Sequence, residues 1–167
     1  MPVTATSPLA LVVDQLRTSV SNSAEFQTRT GAANAAAALA FIYLDVVSND
    51  AGMSAKRPFA LIKVSQIGSN QISDGTAIDL SVGGDLVLIL EDDATNQTVH
   101  DDSFLDFLNF SDEVMQDLRL ASGVEGEFPF YEEQLVWAPS RTRRAERDSS
   151  NNDYWVSAYQ LSWGDFE

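Results

Sequence analysis

The chain has 167 residues, 44% of them hydrophobic, which is enough for one packed core, and we expect a single domain over residues 1–167. It contains no cysteine, which excludes disulfide bonds and thiolate metal sites. The formal net charge of −15 disfavours sequence-specific binding of nucleic acid across the whole surface, because acidic groups repel phosphates.

The N-terminal part of the chain predicts two helices. Ser7-Pro8 is a helix start, with a serine N-cap followed by proline at the first helical position. Apolar residues then recur at helical spacing: Leu9, Val12, Val13, Leu16 and Val20. This helix should end near residues 21–23, and Ala24–Arg29 should be a polar break. A second, alanine-rich helix is expected from Ala32 to about Leu44.

The middle of the chain predicts strands. Pro58 should begin one that continues to Val64, because the missing N–H of proline is tolerated at the first residue of a strand. Apolar and polar residues alternate over Ile78–Val82, which indicates a half-exposed strand. Gly83-Gly84 should turn the chain. The fully apolar run Leu86–Leu90 should then lie at the centre of the sheet.

A loop and a helical region are expected next. Asp92–Asp102 is polar and predicts a loop. A helical pattern begins at Phe104 and ends at Gly123, a residue that commonly stops helices. Ser111 followed by two acids looks like a fresh N-cap, so we expect one kinked helix or two short ones.

The C-terminal part predicts a hairpin of two long strands, Phe128–Ala138 and Tyr154–Trp163. One face of the second strand should carry Trp155, Tyr159, Leu161 and Trp163. The connection Pro139–Asp153 is longer than a tight hairpin needs. The whole order is α-α-β-β-β-α-β-β. We therefore expect an α+β fold with an antiparallel or mixed sheet of about five strands and helices packed on it.

Membrane insertion is not expected. The N-terminus lacks the basic and apolar segments of a signal peptide. The longest apolar runs, Ala35–Leu44 and Leu86–Leu90, are much shorter than the ~20 residues that a membrane-spanning helix needs.

Few residues suit catalysis. His100 is the single histidine, so a two-histidine metal site is excluded and a histidine-based triad is not expected. Gly83-Gly84-Asp85 lies between two strands and opens no helix, so it is not a phosphate loop. Paired carboxylates could serve a divalent cation or a carboxylate-dependent enzyme, and two groups flank one predicted loop: Glu91-Asp92-Asp93 and His100-Asp101-Asp102. The spacing of a calcium-binding EF-hand is absent. We expect no cofactor, no metal and no catalysis.

The charges are unevenly distributed along the chain. Thirteen acids and one base lie between Glu91 and Glu133, which predicts either a solvated acidic face or a field that repels DNA or attracts a basic partner. Four arginines follow in the predicted connection: Arg141, Arg143, Arg144 and Arg147. They could lie in a solvated loop, bind phosphate, or contact a neighbouring protein, since guanidinium groups pair with carboxylates through two hydrogen bonds.

The ordered set of motifs resembles the tail terminator, or tail completion, proteins of long-tailed bacteriophages. The resemblance covers roughly residues 57 to 164, and no single motif in it is specific. Its motifs are the strand Arg57–Ile62, the strand Gly84–Glu91, the helix motifs Phe104–Leu108 and Val114–Leu118, and the C-terminal strand Tyr154–Gly164. The connection Pro139–Asp153 and the alanine-rich stretch Ala32–Ala40 have no counterpart in it.

The resemblance implies a structural protein of the virion, made in the host cytoplasm and located in the tail and neck. Such proteins form a hexameric ring at the head-proximal end of the tail tube, end tube polymerisation and join the tail to the capsid connector. DNA passes through the channel without specific binding. Another head–tail connector component, a stopper or adaptor, is the alternative reading, and an acidic carboxylate-dependent enzyme is a further one.

Overall fold

A computed structural model describes residues 4, 8–44, 57–73, 78–94, 100–122, 144–147 and 153–164. Four helices, a 3₁₀ turn at Leu39–Phe41 and five strands follow one another along these segments. In chain order the elements are α1 (Pro8–Asn22), α2 (Ala24–Thr30), α3 (Ala35–Ala38), β1 (Ile42–Leu44), β2 (Phe59–Ser73), β3 (Ile78–Asp93), α4 (His100–Ser122), β4 (Arg144–Arg147) and β5 (Asp153–Gly164). The predicted α+β class is confirmed, whereas the predicted element boundaries match only in part.

The five strands form one mixed sheet in the order β1-β2-β3-β5-β4. β1 pairs parallel with β2, and the other neighbouring strands pair antiparallel. β3 pairs along most of its length with β2 on one side and β5 on the other. The apolar run Leu86–Leu90 therefore lies in the middle of the sheet, as its composition predicted.

Helices α1, α2 and α4 pack against one face of the sheet, here called the helix face. Alternate residues of the three central strands contribute to this core, as expected from the period of two in a strand. The sheet residues buried there are Ile42 of the edge strand β1 and Ala60, Ile62, Leu86, Leu88, Leu90, Trp155, Tyr159 and Leu161 of the central strands. The helices contribute Val12, Leu16, Val20, Phe26, Phe107, Phe110, Val114, Met115 and Leu118.

The opposite face of the sheet carries a second, smaller apolar cluster. Phe59 and Leu61 of β2 are buried in it, and Tyr43 and Ile89 pack against them. The rings of Tyr43 and Phe59 meet edge to face, with centroids 5.5 Å apart. The short parallel strand β1 is therefore held by side-chain packing as well as by its backbone pairing.

The predicted polar break at Ala24–Arg29 is wrong, because these residues form helix α2. The side chain of Ser23 is the N-cap and accepts a hydrogen bond from the backbone N–H of Phe26 at 3.2 Å. Phe26 is fully buried and anchors the helix. Gly31, at φ +68°, closes the helix in the left-handed conformation that glycine adopts readily.

The second predicted helix is also wrong over most of its length. Only Ala35–Ala38 is α-helical, and Ile42–Leu44 forms β1 instead. These three residues pair in parallel with Ala60–Ile62 of β2 and so extend the sheet by one strand. Tertiary pairing therefore overrides the helix propensity of the alanine-rich sequence.

Gly83-Gly84 does not turn the chain. Both glycines lie inside β3, which is one continuous strand where two were predicted. They pair with Gly68 and Ile67 of β2 and with Gly164 and Trp163 of β5. Glycine weakens a strand interior but does not end it when the backbone is hydrogen-bonded on both sides.

Helix α4 is continuous, so the predicted N-cap at Ser111 is wrong. The Ser111 hydroxyl is buried and donates to the backbone oxygen of Leu108 at 3.1 Å, a bond made within the helix. The helix ends at Ser122, next to the predicted stop at Gly123. It begins at His100, and Asp92 and Asp93 belong to β3, so the predicted loop Asp92–Asp102 is wrong at both ends.

Strand β5 confirms the predicted C-terminal strand. Trp155, Tyr159 and Leu161 are buried on the helix face, whereas Val156 and Ala158 alternate with them and are half-buried. The predicted strand Phe128–Ala138 lies outside the residues that the structure describes. Part of the predicted connection Pro139–Asp153 is strand β4, which pairs with the start of β5.

No helix in the described segments is long and apolar enough to cross a membrane.

Candidate functional site

The most acidic position in the sheet is the end of β3, where Glu91, Asp92 and Asp93 follow one another. Because successive strand residues point to opposite faces, these three carboxylates are divided between the two faces. Asp92 lies on the helix face, in register with the buried Trp155 of β5. Glu91 and Asp93 lie on the opposite face. The three acids are adjacent in sequence but form two separate groups in the structure, one on each face of the sheet.

Arg29, in the last turn of α2, binds the carboxylate on the helix face. Its Nε donates to Oδ2 of Asp92 at 2.7 Å, and its Nη2 donates to Oδ2 of Asp106 on α4. The guanidinium carbon also lies 5.3 Å from the centre of the Phe110 ring. One arginine thus links α2, β3 and α4.

Burial and pairing act in opposite directions on the pKa values of this ion pair. Burial raises the pKa of the Asp92 carboxyl, and the nearby Arg29 guanidinium lowers it less than burial raises it. Burial also lowers the pKa of Arg29, but its bonds to Asp106 and Asp92 outweigh this and raise it. The arginine therefore stays charged, whereas Asp92 carries a desolvation cost that its partner only partly offsets.

Arg57 binds the two carboxylates on the opposite face. Its side chain is only 4% exposed, and its Nε donates to Oε2 of Glu91 at 3.2 Å. Its Nη1 lies 3.6 Å from Oδ1 of Asp93, close enough for an ion pair. The guanidinium carbon stacks over the ring of Tyr154 at 3.6 Å. This site joins the start of β2 to the end of β3 and the start of β5.

The contacts of these two arginines bear on whether the carboxylates at the end of β3 could bind a cation or act as a catalytic pair. A cation site or a catalytic carboxylate pair needs carboxylates that converge on one point and are open to a ligand. Glu91, Asp92 and Asp93 instead diverge and bind arginines. Over the described part of the chain, no three His, Asp or Glu side chains are arranged to hold a metal ion. Asp102 is exposed on α4, where it was expected in a loop.

A second set of polar contacts joins α2 to α4, which run antiparallel. Ser23 donates to Oδ2 of Asp117 at 2.7 Å. Phe26 and Phe110 stack with centroids 6.5 Å apart. Between these contacts Glu25 meets Glu113, and the pKa of Glu25 is raised, first by burial and then by the charge of Glu113.

The basic cluster predicted as an interaction site is described in part. Arg144 and Arg147 are the first and last residues of β4, the strand at one edge of the sheet. β4 pairs antiparallel with Asp153–Val156 of β5. Arg141 and Arg143 lie outside the described residues.

The β2–β3 hairpin extends beyond the rest of the sheet. β1 pairs only with Ala60–Ile62 of β2, and β5 reaches no further along β3 than Gly83. Five further residue pairs, from Ser69↔Val82 to Ser73↔Ile78, have partners only within the hairpin among the strands described. We call these two segments the hairpin arm. At ~3.4 Å per residue the arm is about 17 Å long.

Analysis of the sequence did not identify Arg29 and Arg57 as partners of the acids. Both are distant in sequence from their partners, with Arg29 63 residues from Asp92 and Arg57 34 residues from Glu91. The one feature of the sequence that indicated these pairs was the small number of bases, ten compared with 25 acids. A buried acid must be paired, so each isolated arginine was a candidate partner.

No protein-family model matches this chain, and no curated protein matches it significantly.

Proposed function

We propose that this chain is a structural virion protein that forms a ring at the head-proximal end of the tail tube of a long-tailed bacteriophage. In this role it ends tube polymerisation and joins the tail to the capsid connector. Its partners are other copies of itself, the tail tube protein and the connector. The proposal rests on the motif resemblance over residues 57 to 164, and the α+β architecture is compatible with it.

The hairpin arm is the observation that carries the proposal. A two-stranded hairpin is marginally stable in water, and strands with unpaired edges tend to pair with another chain. An arm of this length, extending past the other described strands, would suit an assembly protein, because it could reach a neighbour.

The paired acids at the end of β3 favour a structural role over the alternative of a carboxylate-dependent enzyme. Arg29 and Arg57 bind Glu91, Asp92 and Asp93 and thereby join helices and strands. These contacts give the acidic cluster a structural role that requires no substrate.

The net charge suits a channel through which DNA slides. Acids facing the channel would repel phosphates and prevent adhesion. At physiological salt this repulsion is screened beyond about 8 Å, so only acids that line the channel would contribute. A stopper or adaptor ring would use an acidic channel in the same way. The terminator, stopper and adaptor roles differ in the position of the ring in the particle.

Polymerisation of the cognate tail tube protein tests the proposal. Tubes assembled with this chain should carry a ring at one end and should not elongate from that end when more tube protein is added. A point-substituted tube protein that cannot bind the ring serves as the control. Tubes that elongate at both ends with this chain present would contradict the proposed function.

A further inference from the structure

We infer that helix α2 is a proton-controlled element, which loosens from α4 as the solution becomes less acidic. The contact that responds is the one between Glu25 of α2 and Glu113 of α4, while the sheet keeps its structure. This inference concerns the helix layer of a single chain and does not depend on the proposed ring.

Helix α2 depends on its neighbours for its stability. It has seven residues, and an isolated helix shorter than about 12 residues is only marginally stable in water. Its side chain Phe26 is fully buried and stacks on Phe110 of α4. α2 therefore stays helical while it is packed, and its contacts with α4 govern how often it opens.

Two polar contacts attach the ends of α2 to α4. At the start of the helix Ser23 donates to Asp117, and in the last turn Arg29 donates to Asp106. In each contact a donor meets a carboxylate, and such hydrogen bonds are strongest when the carboxylate is ionised. These two contacts therefore persist as the pH rises, and they do not supply a proton-dependent attachment.

The contact between these two ends brings two acids together. Glu25 and Glu113 lie within hydrogen-bonding distance of each other. A carboxyl group can donate a hydrogen bond to a second carboxyl only while it carries a proton, so the bond is lost when both groups are ionised. The geometry therefore gives an attraction in the protonated pair and a repulsion in the ionised pair.

The charged groups around Glu25 favour the proton. Burial raises the pKa of Glu25, the charges of Glu113 and Asp106 also raise it, and the Arg29 guanidinium lowers it by less than these together raise it. The folded chain therefore binds this proton more tightly than the opened one. Attachment of α2 should be strongest below the ordinary pKa of 4.5 and should weaken as pH rises through the raised value.

The other elements that contact α2 are α1, α3 and β3. α3 consists of four alanines, and the charged residues of α1 are Asp14 and Arg17. The charged groups that shift the pKa of Glu25 lie on α2 and α4. On β3, Asp92 binds Arg29, and burial raises the pKa of this carboxyl as well. The test must therefore separate the carboxyl pair from Asp92.

Hydrogen exchange of the full chain, followed residue by residue by NMR, measures how often α2 opens. The reporters are the backbone N–H groups of Gln27–Thr30. Those of Leu86–Leu90 report global unfolding, since β3 is paired there on both sides. Between pH 4.5 and neutrality, after correction for intrinsic exchange rates, we expect opening of α2 relative to β3 to increase about two- to fivefold, the effect of one exposed charge pair.

Variants assign the response to the pair. Glu25→Gln and Glu113→Gln should each remove most of the increase, because an amide does not ionise. The double variant should add little to either single one, because both substitutions remove the same interaction. Asp102→Asn is the control, since it removes one charge from an exposed position about three turns before Glu113 on the same helix. It should leave the increase unchanged.

Three outcomes would overturn the inference. Opening of α2 that stays constant over this pH interval would show that the pair has no effect on attachment. An increase that persists in the Glu113→Gln chain would assign the response to Asp92 or to net charge. An equal increase in α2 and β3 would show global unfolding and not the release of one helix.

Discussion

At the scale of single residues, two arginines pair with carboxylates of this acidic chain and so compensate part of its charge within the fold. Arg29 and Arg57 are two of only ten bases, and each binds two carboxylates while lying against an aromatic ring. Removing one member of a buried ion pair costs more than the pair contributes, because the remaining charges keep their desolvation penalty. Substitution of either arginine should therefore destabilise the fold.

Arg57→Met tests this on the face opposite the helices. The substitution keeps most of the side-chain volume but leaves Glu91 and Asp93 without that partner, and we expect the free energy of unfolding to fall by about 3 kcal/mol. Urea denaturation measures the change. Lys63→Met on the same strand is the matched control and should change stability by less than about 0.5 kcal/mol. Equal effects of the two substitutions would show that the Arg57 site does not stabilise the fold.

Glu25→Gln tests the carboxyl pair between α2 and α4. The pKa of Glu25 is raised in the folded chain, so the folded state binds the proton more tightly than the unfolded state. The stability of the native protein should therefore fall as pH rises from the ordinary value of 4.5 through the raised pKa. The substitution removes this loss, and the melting temperature of the variant relative to the native protein should increase over that interval.

Asp14→Asn supplies the control for the pH experiment, since it removes one negative charge from an exposed position on α1. The difference in melting temperature between this variant and the native protein should not increase over the same pH interval. An identical pH dependence for the Glu25 and Asp14 variants would mean that net charge, and not the contact with Glu113, sets the response.

At the scale of elements, the sequence predicts what depends on local pattern and composition. The helical span of α1 follows from its apolar spacing, the central position of Leu86–Leu90 from its composition, and β5 from its aromatic alternation. The errors concern contacts between distant segments. β1 exists because β2 offers an edge, and Gly83 lies in a strand because both neighbouring strands bind its backbone.

The same distinction applies to the candidate site. The acidic end of β3 is visible in the sequence, but its division between two faces requires knowing that Asp92 and Asp93 belong to the strand. Their arginine partners come from α2 and from the residue before Pro58, and only the folded chain brings them together.

Ser23→Ala tests the element that the sequence analysis missed. Ser23 caps α2 and also donates to Asp117 on α4, so its removal should lower the free energy of unfolding by about 1–2 kcal/mol. Thr28→Ala, at an exposed position of α2 where the hydroxyl bonds only within the helix, is the control. We expect that control to change stability by less than about 0.5 kcal/mol in the same denaturation experiment. Similar losses from both would mean that the cap and its link to α4 are not what holds α2.

At the scale of the whole molecule, charge and edges act together. A net charge of −15 disfavours contact between copies, so the proposed ring needs attractive local contacts to form. Closed assembly covers strand edges that would otherwise recruit further chains without limit. The proposed ring would in this way cover the edges of the hairpin arm that have no partner among the described strands.

The most direct test of this account is the copy number of the chain in intact tails, measured by native mass spectrometry of the complex released from their head-proximal end. The account predicts a closed ring, and the family resemblance predicts six copies, with a mass of six times the 18.2 kDa of one chain. Single copies of the chain in intact particles would contradict it.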